Sequence, residues 1–258
     1  MTDHDGFRVE REGESGVATI TLDVPGKLNR VSLAARQQLV STFGELGRDE
    51  SVRVVVVTGA GGTFTAGGDI ASFLTAPVDE MSSLAFNVAA PERCPKPVIA
   101  RIEGYCLGVG FELSLACDFR ICSDDARLGL PEIGLGMIPG SGGTQRLARL
   151  VGLSRAKDVI MRRKRITAED ALAWGLVSEV VPAAELDDAV DRMVAELTAL
   201  SPVALAMAKR VLNQVYDSPL HVGLELEGLA YGVLKSTDDF REGVDSFVEK
   251  RPPEFQGR

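Results

Sequence analysis

The sequence predicts an α/β protein that ends in a helical segment. Two observations carry this: short β-branched runs alternate with helical periods over the first two thirds of the chain, and beyond about residue 142 helical patterns follow one another with little interruption. "VATITLD" (17–23) alternates apolar and polar residues, the mark of a strand with one wet face. "SLAARQQLVSTFGEL" (32–46) reads as a helix with Ser32 placed to cap it. "VRVVVVTG" (52–59) is a continuous β-branched run, which fits a strand covered on both faces. "APERCPKP" (90–97) reads as a loop. "PVIARIEG" (97–104) and "DFRICS" (118–123) continue the strand series, on either side of a helix over 111–116 that follows a glycine-rich turn. Helical patterns then occupy 143–152, 154–164, 167–175 and 185–200, broken by a short strand at 176–181, and they run from Ser201 to the "RPPEFQGR" tail. The expected division is a core over residues 1–200 and a helical segment over 201–258 that packs on the core or on another subunit.

Composition narrows the class. A chain of 258 residues that is 45% hydrophobic and 25% charged can build one large core, so fibrous and disordered classes are excluded. The polar start "MTDHDGFRVERE" has no basic-then-apolar leader, and no run approaches the ~18 apolar residues of a membrane span, so a cytoplasmic protein with no membrane partner is expected. Cys94, Cys106, Cys117 and Cys122 form no C-x-x-C pair and read as reduced core thiols. A net charge of -9 lacks the basic footprint that nucleic-acid binding needs. The only two histidines are His4, at an N-terminus expected to fray, and His221 in a helical stretch, neither of them in a motif. Histidine triads, histidine-rich metal sites and histidine bases therefore lack their parts, and proton transfer falls to carboxylates.

Two acids stand out by their company. Glu112 is the one side chain between Gly104 and Ala116 that is charged at neutral pH, and Glu132 sits alone in "LGLPEIGLGMIPGSGG" (128–143). An acid in such surroundings costs several kcal/mol or shifts its pKa unless it is partnered, so the two are candidates for one site. Each also has an ordinary structural reading: Glu112 lies near a helix start, Pro131-Glu132 can open a helical turn, and Asp69 reads as an N-cap. The glycine-rich stretches fail as nucleotide motifs, since Leu113 replaces the third glycine of a dinucleotide fingerprint and no Gly-Lys-Ser/Thr exists. "FTAGGDI" (64–70) and "GVG" (108–110) can instead aim main-chain N–H groups at an anion.

Taken in order and at this spacing, "AGGDI", "GYCLGVGFELSLACDFRI" and "ARLGLPEIGLGMIPGSGGTQRLARLVG" resemble the enoyl-CoA hydratase/isomerase family, the crotonase superfamily. "PGKLNRVSL", "ALAWGLVSEVVP" and "FREGVDSFVEKRPPEF" extend the resemblance over nearly the whole chain. It implies a crotonase-like (ClpP/crotonase) spiral of ββα units with C-terminal helices that mediate homotrimers, often paired into homohexamers. It implies an acyl-CoA substrate, with coenzyme A as part of that substrate and no separate cofactor or metal. The positions matching the family's oxyanion hole are the N–H groups of Gly68 and Val109. Those matching its catalytic acids are Glu112, which would activate water at the β-carbon, and Glu132, which would protonate the α-carbon. Lys27, Leu28, Ala66, Asp69, Ile70 and Gly108 fall where the substrate would be contacted. The family's double-bond isomerases commonly lack the first glutamate, so Glu112 favours hydration.

Departures leave alternatives open. Val109 replaces the middle glycine of a Gly-Gly-Gly run, and Ala71 stands where some hydratases have a lysine for the CoA phosphates; Lys27 and Arg30, or Lys250 and Arg251, are the replacements that charge alone offers. Other crotonase reactions (isomerisation, dehydration, hydrolysis) need the same pocket, and a non-catalytic acyl-CoA-binding oligomer is a further alternative. The segment 72–90 is expected to shape the acyl pocket, with Phe73, Leu74, Met81, Leu84 and Phe86 as lining. Nothing in it selects chain length, branching or aromaticity.

Overall fold

The four consecutive valines at 54–57 lie at the centre of the main sheet and explain its layering. The computed structural model describes residues 1–13 and 15–258. Among these, ten strands form: β1 (Thr2–His4), β2 (Phe7–Glu12), β3 (Val17–Leu22), β4 (Val54–Gly59), β5 (Val98–Ile102), β6 (Tyr105–Leu107), β7 (Phe119–Ser123), β8 (Arg127–Gly129), β9 (Ile166–Thr167) and β10 (Glu179–Val181). Seven make one sheet in the order β1-β2-β3-β4-β5-β7-β10, and β6-β8-β9 make a second. The first three strands pair antiparallel, and from β3 to β10 the main sheet is parallel, with Val55 opposite Ala18 and Val98.

The helices are α1 (Leu33–Arg48), α2 (Val78–Ser82), α3 (Leu84–Val88), α4 (Ala90–Arg93), α5 (Val109–Ala116), α6 (Gly143–Val151), α7 (Leu153–Met161), α8 (Ala168–Ala173), α9 (Leu186–Thr198), α10 (Pro202–Leu212), α11 (Leu220–Leu234) and α12 (Asp238–Glu249). Because side chains alternate along a strand, Val55 and Val57 enter the core shared with Leu39 and Phe43 of α1 and Phe111 of α5, while Val54 and Val56 pack on Leu186, Ala189 and Val190 of α9. A strand buried on both faces has no reason to alternate, hence the unbroken valine run. β5–β6–α5 and β7–β8–α6 are strand-strand-helix units in which the second strand leaves the main sheet for the small one. This repeat is the crotonase-like spiral. Ser32 caps α1, its hydroxyl accepting from the Ala35 amide at 3.0 Å.

Three readings are corrected. His4 is not in a frayed end: β1 pairs with β2, and its ring stacks on Phe7 at 4.5 Å. Residues 90–93 are helical rather than loop, because Pro91 falls in the first turn, where its missing N–H costs nothing. The strand expected from residue 176 begins at Glu179.

α10 is anchored to the core by a buried cation. Lys209 Nζ donates to the carbonyls of Pro91 (2.7 Å) and Lys96 (3.0 Å) and to Asp118 Oδ2 at 2.6 Å. Burial pushes the Asp118 carboxyl above the usual carboxylate range, and the Lys209 charge is the largest of the effects opposing it. Lys209→Met therefore strands a buried carboxylate, and a loss of about 3 kcal/mol in urea-unfolding stability is expected. A loss under about 1 kcal/mol would show Asp118 satisfied by other groups. α11 differs from its neighbours, with no buried residue; Leu220, Leu224, Leu229 and Tyr231 are exposed. No helix among the described residues is long and apolar enough to cross a membrane.

Candidate active site

Three parallel runs of chain deliver the site. Residues 65–67 lie alongside β6, with the Thr65 amide donating to the Tyr105 carbonyl and the Leu107 amide to that of Thr65. β6 in turn pairs parallel with β8, and the bond from the Gly108 amide to the Gly129 carbonyl (2.9 Å) continues that pairing. The carboxyl ends of all three runs meet at one edge, which sets Gly68, Gly108-Val109 and Pro131-Glu132 side by side. Gly108 makes this possible: at φ 54°, ψ -128° it occupies backbone space that a side chain disfavours, and a Cβ there would lie 3.1 Å from Glu132 Oε1.

Glu112 enters from α5, whose eight residues are all buried. It lies in the first turn of its own helix but makes no cap bond there; the free amides it bonds belong to the start of another helix. Its Oε1 accepts the Ser141 amide at 2.8 Å, from the turn ahead of α6, and the Gly143 amide at 2.9 Å, from the first residue of that helix. Gly143 must be glycine for that approach, since a Cβ would stand 2.9 Å from Glu112 Cγ. Glu132 opens a short 3-10 turn, Glu132–Leu135, and its Oε2 is buried with no hydrogen-bond partner among the described residues.

The two acids are solvated differently. Burial raises both, Glu132 to about 7. At Glu112 the two amides from elsewhere in the chain and the Arg36 guanidinium work against that rise; at Glu132 its own backbone and Arg36 do so, but the Glu112 charge adds to the rise. Donors to a carboxylate favour its ionised form, so a proton shared by the pair resides on Glu132. Gly68 and Val109 present amides that bond no acceptor among the described residues, Val109 being the first residue of α5.

These groups share one cavity of about 330 Å³, with Ala66, Ile70, Gly108, Phe73, Met81 and Leu84 in its wall. That size suits a small-molecule pocket. Leu74 and Phe86 are outside it, 90% and 63% exposed. Lys27 and Leu28 are also outside; Leu28 meets the site only through its carbonyl, which accepts the Ala66 amide at 3.0 Å. Asp69 holds the N-cap position but makes no cap bond, and reaches Arg30 instead. Arg251 is committed to Glu242 and Glu249. A larger cavity of about 420 Å³ under α10 contains no comparable acid pair, since its Asp118 is joined to Lys209 and its Glu92 to Arg146.

Sequence reasoning missed one member of the site. Arg36 lines the cavity at 3% exposure, although its position between Ala35 and Leu39 on the buried stripe of α1 was a usable signal.

A spiral of strand-strand-helix units with paired acids facing free main-chain N–H groups defines a class, the crotonase-like proteins. The chain matches the family described as Enoyl-CoA hydratase/isomerase over residues 12–258 and belongs to it. It is 36% identical to the short-chain-enoyl-CoA hydratase of Clostridium acetobutylicum (97% of each chain) and 37% identical to the 2,3-dehydroadipyl-CoA hydratase of Escherichia coli (94% of this chain, 96% of that one). A crystal structure of an enoyl-CoA hydratase from Bacillus anthracis superposes with a TM-score of 0.91 at 37% identity, over 98% of this chain and 100% of that one.

Proposed function

We propose that the protein is an enoyl-CoA hydratase, a hydro-lyase that adds water reversibly and syn across the double bond of a 2-enoyl-CoA to give a 3-hydroxyacyl-CoA. The observation that carries this reading is the pair of differently solvated carboxyls in one cavity with two free amides. The thioester oxygen accepts the Gly68 and Val109 N–H groups, which are fixed in advance and gain strength as charge grows on that oxygen. Glu112, as carboxylate, takes a proton from water attacking the β-carbon, and Glu132, as acid, delivers one to the α-carbon. One proton enters the pair and one leaves it, so its total is unchanged. Two acids favour hydration over the isomerisation of the family's single-acid members.

The test is loss of the conjugated-thioester absorbance of crotonyl-CoA, with chromatographic identification of 3-hydroxybutyryl-CoA. Binding without turnover, across enoyl thioesters that differ in length, branching and aromaticity, would reject hydration. No separate cofactor is part of this reading, and the location is cytoplasmic.

The same reading includes a homotrimer or a homohexamer built as a dimer of trimers. The apolar exposure of α11, continued by Phe247 and Val248 of α12 at 85% and 73%, exceeds what a lone chain ordinarily leaves wet. Light scattering is expected to give three or six times the chain mass; a monomer at micromolar concentration would refute it.

A further inference from the structure

Arg36 is a cation in an unusual place. It stands on the core-facing stripe of α1, yet no carboxylate oxygen among the described residues lies within ion-pair distance of it. Its Nη1 donates to Ser141 Oγ at 3.1 Å, its Cζ lies 5.4 Å from the centre of the Phe73 ring, and its Nε is buried without a partner. Nη2 covers Gly68 so closely that a Cβ there would sit 2.7 Å away. A guanidinium held this dry is costly unless charge of opposite sign is near.

The surroundings supply that charge. Arg36, Glu112 and Glu132 are the charged groups that act on one another across the cavity. Of the elements packed on α5, α6 brings Arg146, which is tied to Glu92 of α4, and the exposed Arg149, which is tied to Asp217; α4 also brings the exposed Arg93; α3 brings no titratable group; and β6 brings the buried thiol of Cys106 and the exposed Tyr105. Burial lowers Arg36 only to about 10, so it stays charged at neutral pH. With Glu112 ionised and Glu132 protonated, the cavity is neutral. An acyl chain bearing its own carboxylate would bring a charge with nothing left to balance it, which argues against Arg36 as a receptor for the substrate.

Resting on the hydratase reading, we propose that Arg36 and Ser141 form a positioning pair for Glu112: the guanidinium is its counter-charge, and by donating to Ser141 Oγ it turns the Ser141 hydroxyl proton toward the carboxylate. The Ser141 amide already holds Glu112 Oε1, and a hydroxyl proton turned toward the same carboxyl would favour its ionised form. A hydroxyl that accepts from a cation has its proton free to donate elsewhere, and so passes the polarisation on. The chain of contacts therefore fixes which of the two acids accepts the proton of water.

The experiment compares wild type, Arg36→Met, Arg36→Lys and Ser141→Ala by the pH dependence of kcat/KM for crotonyl-CoA. Arg36→Met is expected to move the acid limb up by about one pH unit, because loss of a nearby cation makes Glu112 harder to ionise. The alkaline limb should rise less, since Arg36 also acts on Glu132. Arg36→Lys should restore most of the acid limb. Ser141→Ala should raise that limb alone, by a smaller amount, and it reads the proposal even if Arg36→Met fails to fold. ¹³C NMR titration of the Glu112 carboxyl, assigned with Glu112→Gln, reads the same shift without turnover. Limbs and titration that coincide with wild type, whatever the loss of rate, would leave Arg36 a packing residue. A defect confined to carboxylate-bearing acyl chains would make Arg36 a receptor for the substrate and overturn the pairing with Glu112. A wild type that titrates as expected but hydrates no enoyl thioester would sink the hydratase reading and leave standing only the counter-charge role of Arg36 toward Glu112.

Discussion

Glu112→Gln is expected to lower kcat for hydration by about 10²- to 10⁴-fold, the usual worth of a positioned base. The dissociation constant for the acyl-CoA should move little. Glutamine has nearly the same shape, and its carbonyl oxygen can still accept the Ser141 and Gly143 amides that hold Oε1 at 2.8 and 2.9 Å. What it cannot do is take a proton from water. The loss therefore falls on kcat and kcat/KM alike, the pattern of an interaction made only in the transition state. An unchanged KM with kcat within threefold of wild type would remove Glu112 from the chemistry. A raised KM at constant kcat would make it a binding group.

The sequence showed the ends of this arrangement better than its middle. Glu112 and Glu132 were legible because apolar neighbours make an acid conspicuous, and the long strands because β4 is buried on both faces. β6 and β8 were not, since three residues are too few to display a period of two, yet their pairing is what sets Gly108 beside Pro131. Arg36 was hidden for another reason. A lone arginine on a helical stripe is ordinarily read as the edge of a solvated face, so the stripe alone only hints at burial, and what Arg36 meets there is shown by the turn bearing Ser141, 105 residues away. Leu74 and Phe86 erred the opposite way, because apolar character says nothing of direction in the short helices of 70–93. Local pattern reports burial where an element is long; convergence of distant turns it cannot report.

Glu132→Gln is the companion prediction, again a loss of about 10²- to 10⁴-fold, and its pH profile makes it more discriminating than its size. Hydration requires Glu132 to carry a proton, so wild-type kcat/KM should fall as pH rises through about 7, where burial has placed this group. It should fall again at low pH, as Glu112 is protonated. The residual activity of Glu132→Gln should lose the alkaline limb, whereas that of Glu112→Gln should keep it. The reverse reaction sharpens the argument. Dehydration begins with the proton on Glu112 rather than Glu132, yet the pair still holds one proton in all, and the equilibrium between the two sites does not depend on pH. Forward and reverse kcat/KM must therefore trace the same bell, with both limbs belonging to the pair rather than to either residue. An alkaline limb that survives in Glu132→Gln, or bells displaced from each other in the two directions, would mean that a group outside this pair supplies the proton to the α-carbon.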